Sequence, residues 1–289
     1  MKSKKTTIIL VILFIISLAI THFTQEQKSA PKDLNEALSV TFFNVGQGDS
    51  SFIEFPDGKC MLIDASVSSA GERICNLIGQ RGYDRIDYIV ATHPHSDHIG
   101  GMFDVTECFE IGTVYMPDAV SSSATYLDFL NSLKRHGVTV KKAKSGIEFS
   151  EGEVKVEFLG PVSEEYEDLN NYSAVVKVTY GKNSFLFTGD AEELVETELL
   201  QSGADLKADV LKVGHHGSDS SSCDAFLAAV DPKFAVISCG KGNDYGHPHK
   251  EVLERLKKTD AEIFRTDING DITLVSDGTE VNKYYDLYN

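Results

Sequence analysis

The sequence predicts one α/β domain, a four-layer αββα sandwich, carried behind an N-terminal membrane anchor or signal segment. Three observations point that way. From Ser39 onward, short β-rich runs alternate with helical patterns and no low-complexity segment interrupts them. A unit made of hairpin, Asp-Ala, helix, strand and histidine occurs twice, once ending at His93 and once at His215. The first 23 residues stand apart as a basic tip followed by an apolar run.

The tip is MKSKK, and TTIILVILFIISLAITHF (6–23) follows it without a charge. That run falls between the length of a signal-peptide core and a full membrane span. A small-x-small site at Ser17 and Ala19 lies inside the run, which favours an uncleaved anchor over a cleaved signal peptide. Positive charge ahead of the run puts the remainder outside the cytoplasm, so an extracytoplasmic chain, membrane-anchored or secreted, is expected. The polar TQEQKSAPKDLNEA reads as a tether. The expected division is anchor or signal peptide at 1–23, linker at 24–38 and a single folded domain at 39–289.

Within the domain, SVTFFNV and SSFIEF flank GQGD, and EFPDGKCMLID carries a Pro-Asp-Gly turn of the hairpin type. GERICNLIGQRG spaces Ile74, Leu77 and Ile78 at helical intervals and stops at glycine. DYIVAT is a continuous apolar strand, and TVYMP and VTVKKA bracket a helical ATYLDFLNSLKRHG. VKVEFLG, SAVVKVTY and NSFLFTG read as strands and AEELVETELLQSG as a helix. The repeated unit shows in the spacing: Asp64-Ala65 and Asp190-Ala191 each close a hairpin. Asp87 precedes His93 by six residues, as Asp209 precedes His215. Two half-domains packed sheet to sheet would bring their strand-end loops to one edge.

Composition narrows the function. With 27 Lys+Arg against 44 Asp+Glu, the net charge is -17, which disfavours a passive nucleic-acid-binding module. The five cysteines form no CxxC pair, so no zinc ribbon is indicated and they read as small buried hydrophobes.

The chemistry concentrates in ATHPHSDHIGG (91–101), where His93, His95, Asp97 and His98 fall within six positions of a chain that has only 9 His. Imidazole with carboxylate and no thiolate suits borderline ions such as Zn²⁺ or Mn²⁺. His93 and His95 sit two apart where a strand runs out and would reach one ion, with Asp97 and His98 serving a second. Asp190 in FTGDAE is the expected bridge, while VGHHGSD supplies His215 and His216, and YGHPHK supplies His247 and His249. Two divalent ions so held favour hydrolysis.

The motifs THPHSDHIGG, LFTGD and VGHHGS resemble those of metallo-β-lactamase-fold hydrolases. More narrowly, FFNVGQGDSSFIEFPDGKCMLIDA, NNYSAVVKVTYGKNSFLFTGDAE, LKVGHHGSDSS and YGHPHKEVLERL resemble the hydrolase domain of ComEC-type DNA-uptake proteins and its free-standing relatives, over about residues 39–280. The resemblance implies that His93 and His95 bind the first metal, Asp97 and His98 the second, and that Asp190 bridges them. It implies His216 as a further ligand with His215 assisting catalysis beside it, and Asp64 as an orienter of the loop histidines. Asp64 reads equally well as a strand-end turn former. His247 would hold an anionic leaving group or phosphate, and Asp49 of the GQGD loop is an outer-sphere candidate. One departure stands out: where superfamily hydrolases commonly place another histidine ligand, this chain has Asn170, as ComEC-type domains do. An amide oxygen is the weaker ligand and would favour Mn²⁺ over Zn²⁺.

The expected function is therefore an extracytoplasmic dinuclear metallohydrolase that cleaves a phosphodiester through a metal-activated water, with Asp97, His215 and His247 at the reaction. Nucleic acid is one substrate class, while the net charge of -17 argues for a smaller diester or a short oligonucleotide. The alternatives are a lactone or amide hydrolase of the same fold, which Asp97 in place of a thiolate disfavours, and a non-catalytic metal-binding accessory protein, which Asn170 favours.

Overall fold

The computed structural model describes residues 36–284, so the expected anchor at 1–23 and most of the expected linker at 24–38 lie outside the described residues. Among the described residues, no helix is long and apolar enough to cross a membrane.

Six strands follow one another across the first sheet: β1 (Leu38–Phe42), β2 (Ser51–Glu54), β3 (Cys60–Ile63), β4 (Arg85–Val90), β5 (Glu110–Met116) and β6 (Thr139–Lys142). Seven more form the second sheet in order: β7 (Glu148–Glu151), β8 (Val154–Gly160), β9 (Val175–Tyr180), β10 (Asn183–Phe187), β11 (Val210–Lys212), β12 (Phe234–Ile237) and β13 (Glu262–Arg265). The chain then returns to the first sheet with β14 (Ile272–Ser276) beside β1 and β15 (Val281–Tyr284) at the edge.

Side chains alternate across each strand, and that period of two sorts them into layers. Met61 and Ile63 of β3 join Phe42, Phe158, Val176, Phe185 and Phe187 in the core between the sheets. Cys60 and Leu62 face the other way, onto Ile74, Leu77 and Ile78 of the helix Gly71–Gln80 and onto Phe129 of Ala124–Arg135. On the second sheet, Leu186 and Leu211 pack outward against Val195 and Leu199 of the helix Glu193–Ser202, with Phe226 and Val252 beyond. Helices thus cover the outer face of both sheets.

The repeated unit in the sequence is a repeated unit of structure. In each half an antiparallel hairpin (β2 with β3, β9 with β10) leads through a helix to a parallel neighbour (β4, β11), pairing Ile63 with Val90 and Phe187 with Lys212. Asp87 Oδ2 accepts from the Cys60 N–H at 3.1 Å and Asp209 Oδ2 from the Ser184 N–H at 3.0 Å. Those two aspartates tie the entry ends of their strands, roughly 20 Å of extended chain from the histidine loops. Asp64 and Asp190, not Asp87 and Asp209, carry the carboxylates of the two units to the shared edge. Of the cysteines, Cys60, Cys75 and Cys239 are buried, whereas Cys108 is exposed at the end of Met102–Cys108 and departs from the expected buried role.

Candidate metal centre

Parallel strands end side by side, so the loops that leave them meet. After β4 the chain passes through His93 and His95 into the short helix Ser96–Ile99, which carries Asp97 and His98. After β10 comes Asp190, and after β11 come His215 and His216. Both of these histidines take left-handed backbone, at φ 49° and 53°, a conformation that costs a non-glycine residue roughly 1–2 kcal/mol. Strain of this kind persists only where the surroundings hold it.

Asp190 is the hub. Its Oδ2 lies 3.1 Å from His98 Nε2, 3.6 Å from His216 Nε2, 3.7 Å from His215 Nε2 and 3.9 Å from His93 Nε2. Asp97 Oδ2 lies 3.4 Å from His216 Nε2. His95 joins through His93, with Nδ1 at 3.0 Å from His93 Nε2. Asp97, His98, Asp190 and His216 each offer a ligand atom within 4.8 Å of the others. The sequence spread these residues over 120 positions, and the fold gathers them.

A second set of contacts surrounds the imidazoles. Asp64 Oδ2 sits 2.7 Å from His98 Nδ1 while the carboxylate also accepts from the Thr92 N–H at 2.8 Å and the Thr92 hydroxyl at 2.7 Å. Asp64 also takes the left-handed turn conformation, at φ 59°. His93 Nδ1 lies near the Thr92 and Ser173 hydroxyls, at 3.1 and 3.3 Å. His216 Nδ1 is 3.1 Å from Ser238 O and 3.1 Å from Asp49 Oδ1. Asp49 is buried and its Oδ2 pairs with the Lys212 ammonium at 2.6 Å. The GQGD loop gets this close because Gly48 has no side chain: a Cβ there, at φ 146°, would stand 2.4 Å from Ser66 Oγ and 2.6 Å from Asp97 O.

Burial and charge pull the titrations apart. Burial favours neutral His98, yet Asp190 and Asp64 outweigh it and hold the imidazole well above its ordinary value. The same contest, with Asp190 and Asp49 as the carboxylates, lifts His216 to about 10. His93 goes the other way, held well below its ordinary value by burial and by His98. Burial works to raise Asp190, Asp97 and Asp49, but the surrounding imidazoles, with Lys212 for Asp49, lower all three, Asp49 to about 2. Asp64 is pushed up by burial against the pull of His98 and Thr92.

The donor set fits divalent cations. His98 Nε2, His216 Nε2, Asp190 Oδ1 and Asn170 Oδ1 are all buried without a hydrogen-bond partner among the described residues. Burying such atoms unsatisfied is costly, and an ion among them resolves that cost. Imidazole and carboxylate without thiolate is a borderline-metal set.

A cavity of about 330 Å³ opens beside the hub, lined among others by His95, Asn170, His215 and His247. Burial and the neighbouring His216 and His215 depress His247 to about 4, leaving it neutral near pH 7. Its Nδ1 lies 3.4 Å from Gln47 Nε2, and Tyr245 stacks on its ring at 5.6 Å. His249 stays at the rim, where its Nδ1 accepts from the Asp219 N–H. Lys212, Gln47 and Tyr245 are residues that sequence reasoning missed. Only Lys212 left a trace, as a charge inside the apolar run DVLKVG.

Comparison with known proteins finds relatives in both sequence and fold. A family profile described as the metallo-beta-lactamase superfamily matches residues 43–241. ComE operon protein 3 of Bacillus subtilis (strain 168) is 31% identical over 250 residues, covering 81% of this chain and 32% of that protein. Competence protein ComA of Neisseria gonorrhoeae is 32% identical over 237 residues, covering 82% of this chain and 32% of that protein. The chain spans about a third of the length of these curated relatives. Among solved structures, the metallo-beta-lactamase fold protein YhfI from Bacillus subtilis superposes with TM-score 0.53 at 10% identity, covering 83% of this chain and all (100%) of its own. CmlA, a diiron beta-hydroxylase from Streptomyces venezuelae, superposes with TM-score 0.54 at 15% identity, covering 85% of this chain and 54% of that chain. At such identities the likeness is one of fold.

Proposed function

Because the chain belongs to the metallo-beta-lactamase superfamily, whose fold is of the metal-dependent hydrolase type, we propose that it is an extracytoplasmic dinuclear hydrolase that cleaves a phosphodiester. The domain responsible is the segment 39–289, tethered through 1–23 and 24–38. The observation that carries the reading is the approach of four imidazole nitrogens to one oxygen of Asp190, at 3.1 to 3.9 Å.

His93, His95 and Asn170 would hold one ion, Asp97, His98 and His216 the other, and Asp190 both. Bound there, Zn²⁺ or Mn²⁺ supplies Lewis acidity, lowering the pKa of water and offsetting charge on a phosphoryl oxygen. The remaining steps fall to the chain's own groups. His247, neutral and with Nδ1 facing the Gln47 amide, has Nε2–H free to donate to a phosphoryl oxygen. His215, with Nδ1 against Ser220 Oγ at 3.1 Å, is held where its other nitrogen can pass a proton to the departing alkoxide. Asp97 orients the nucleophile's proton. The competence-protein relatives support nucleic acid as one substrate class, and the net charge of -17 favours short diesters over long polyanions.

Turnover of bis(p-nitrophenyl) phosphate with added Mn²⁺ or Zn²⁺ tests the proposal, with His95→Ala as control. Metal-dependent cleavage lost in the variant is the expected result, and absence of metal-dependent cleavage of any diester overturns it. A second reading, a metal-binding accessory protein, draws on Asn170, whose amide oxygen is the weak donor of the set. Two ions per chain support the enzyme and a single tightly held ion the accessory.

A further inference from the structure

Lys212, the last residue of β11, is among the largest fully buried side chains of the protein. Its ammonium donates to Val213 O at 3.0 Å and lies 2.6 Å from Asp49 Oδ2. Asp49 belongs to the other half of the molecule, in the GQGD loop between β1 and β2. From there it touches the candidate metal centre twice. Its Oδ1 is 3.1 Å from Nδ1 of His216, and its backbone N–H donates to Asp97 O at 3.1 Å. Its own carbonyl accepts from the Ser66 N–H at 2.8 Å, which fixes the loop against the turn after Asp64.

We infer that Lys212 is a positioning residue for metal ligation, anchoring the Asp49 carboxylate so that it aims the Nε2 atom of His216 at Asp97 and Asp190. The inference rests on the metal reading above and extends it across the interface between the two sheets. A pair that only joined the halves would have both carboxylate oxygens taken up by donors. Here Oδ1 of Asp49 has no hydrogen-bond partner among the described residues and lies 3.1 Å from His216 Nδ1, sharing that face of the imidazole with Ser238 O. A buried ion pair is also weak evidence for stability, since apolar side chains serve that end as well or better. What an ammonium adds at this position is a fixed charge behind a carboxylate that backs a ligand histidine, the arrangement by which outer groups set ligand orientation and basicity.

The test is equilibrium competition of the full chain against a chromophoric chelator for Zn²⁺, with the Co²⁺ ligand-field spectrum as a second readout. Lys212→Met is expected to weaken metal binding by about 10- to 100-fold and to alter the Co²⁺ spectrum. The double variant Lys212→Met/Asp49→Asn, which removes both charges, is expected to recover to within about threefold of the parent, a non-additivity that lost packing alone does not produce. Should Lys212→Met fail to fold, Lys212→Gln keeps a polar donor, one atom shorter, without the charge, and the same loss is expected. A folded single variant that binds Zn²⁺ within about twofold of the parent, or a double variant no better than the single, overturns the inference. A parent chain that binds no metal overturns the metal reading itself, and the inference with it.

Discussion

Asp64 Oδ2 and His98 Nδ1 stand 2.7 Å apart, both buried, and this contact decides which nitrogen of His98 faces the hub. With Nδ1 committed to the carboxylate, Nε2 is the atom 3.1 Å from Asp190. Asp64→Asn keeps the shape and tolerates the left-handed backbone, but its amide can present a donor where an acceptor is needed. Metal affinity is expected to fall by about 10- to 100-fold while the fold is retained. Chelator competition measures the first and far-UV circular dichroism the second.

The apo protein has its own pH signature. His216 is lifted from 6.5 to about 10, so the folded chain holds a proton there that the unfolded chain releases. Its contribution to stability is complete below about pH 6.5 and is lost as pH rises through 10. Urea unfolding of chelator-treated protein should therefore show stability declining between pH 7 and pH 10, and His216→Asn should flatten that decline. Metal-loaded protein should behave oppositely, because an ion displaces the protons on His98 and His216 and binds more tightly as pH rises. Parallel titrations with and without Zn²⁺ separate the two slopes.

Asp190→Asn removes the anion on which the imidazoles converge. In the metal-free chain, breaking a buried charge pair by deleting one partner costs about 3–5 kcal/mol. The variant should accordingly lose stability on that scale before any metal is added, and retain neither ion afterwards. Elemental analysis after gel filtration checks the second point. A stability within about 1 kcal/mol of the parent would show that Asp190 does not hold the protonated pair.

Much of this centre was legible because its residues are chemically loud. Three histidines and a carboxylate in ATHPHSDHIGG announce themselves, and the Asp-Ala, helix, strand, histidine repeat says which second loop to bring beside them. Strands with a clear apolar face, such as CMLI and VKVEFLG, were legible too. Edge strand β7 was not, since its residues EFSE lack an apolar alternation and it pairs on one side only, with β8. The partners of Lys212 and Gln47 were hidden for another reason. Each does its work through a partner more than 160 residues away, Asp49 for the first and Gly240 and His247 for the second, and local pattern carries no information about such pairs. The role of Gly48 was likewise hidden, because close approach is a property of the neighbour it meets.

Asn170 offers the sharpest separation of metal chemistry from folding. Its Oδ1 is buried with no partner among the described residues, so in the apo chain it is a cost of about 1–3 kcal/mol with no return. Asn170→Ala is then expected to leave apo stability unchanged or slightly raised, while reducing retention of one ion. Asn170→His should do the reverse for binding, because imidazole is the better ligand for Zn²⁺, and should shift preference from Mn²⁺ towards Zn²⁺. Thermal melts of the chelator-treated variants, set beside metal stoichiometry after dialysis, read both quantities on one preparation. If Asn170→Ala lowers the apo melting temperature by several degrees and leaves stoichiometry at the parent value, the amide serves the fold and not an ion.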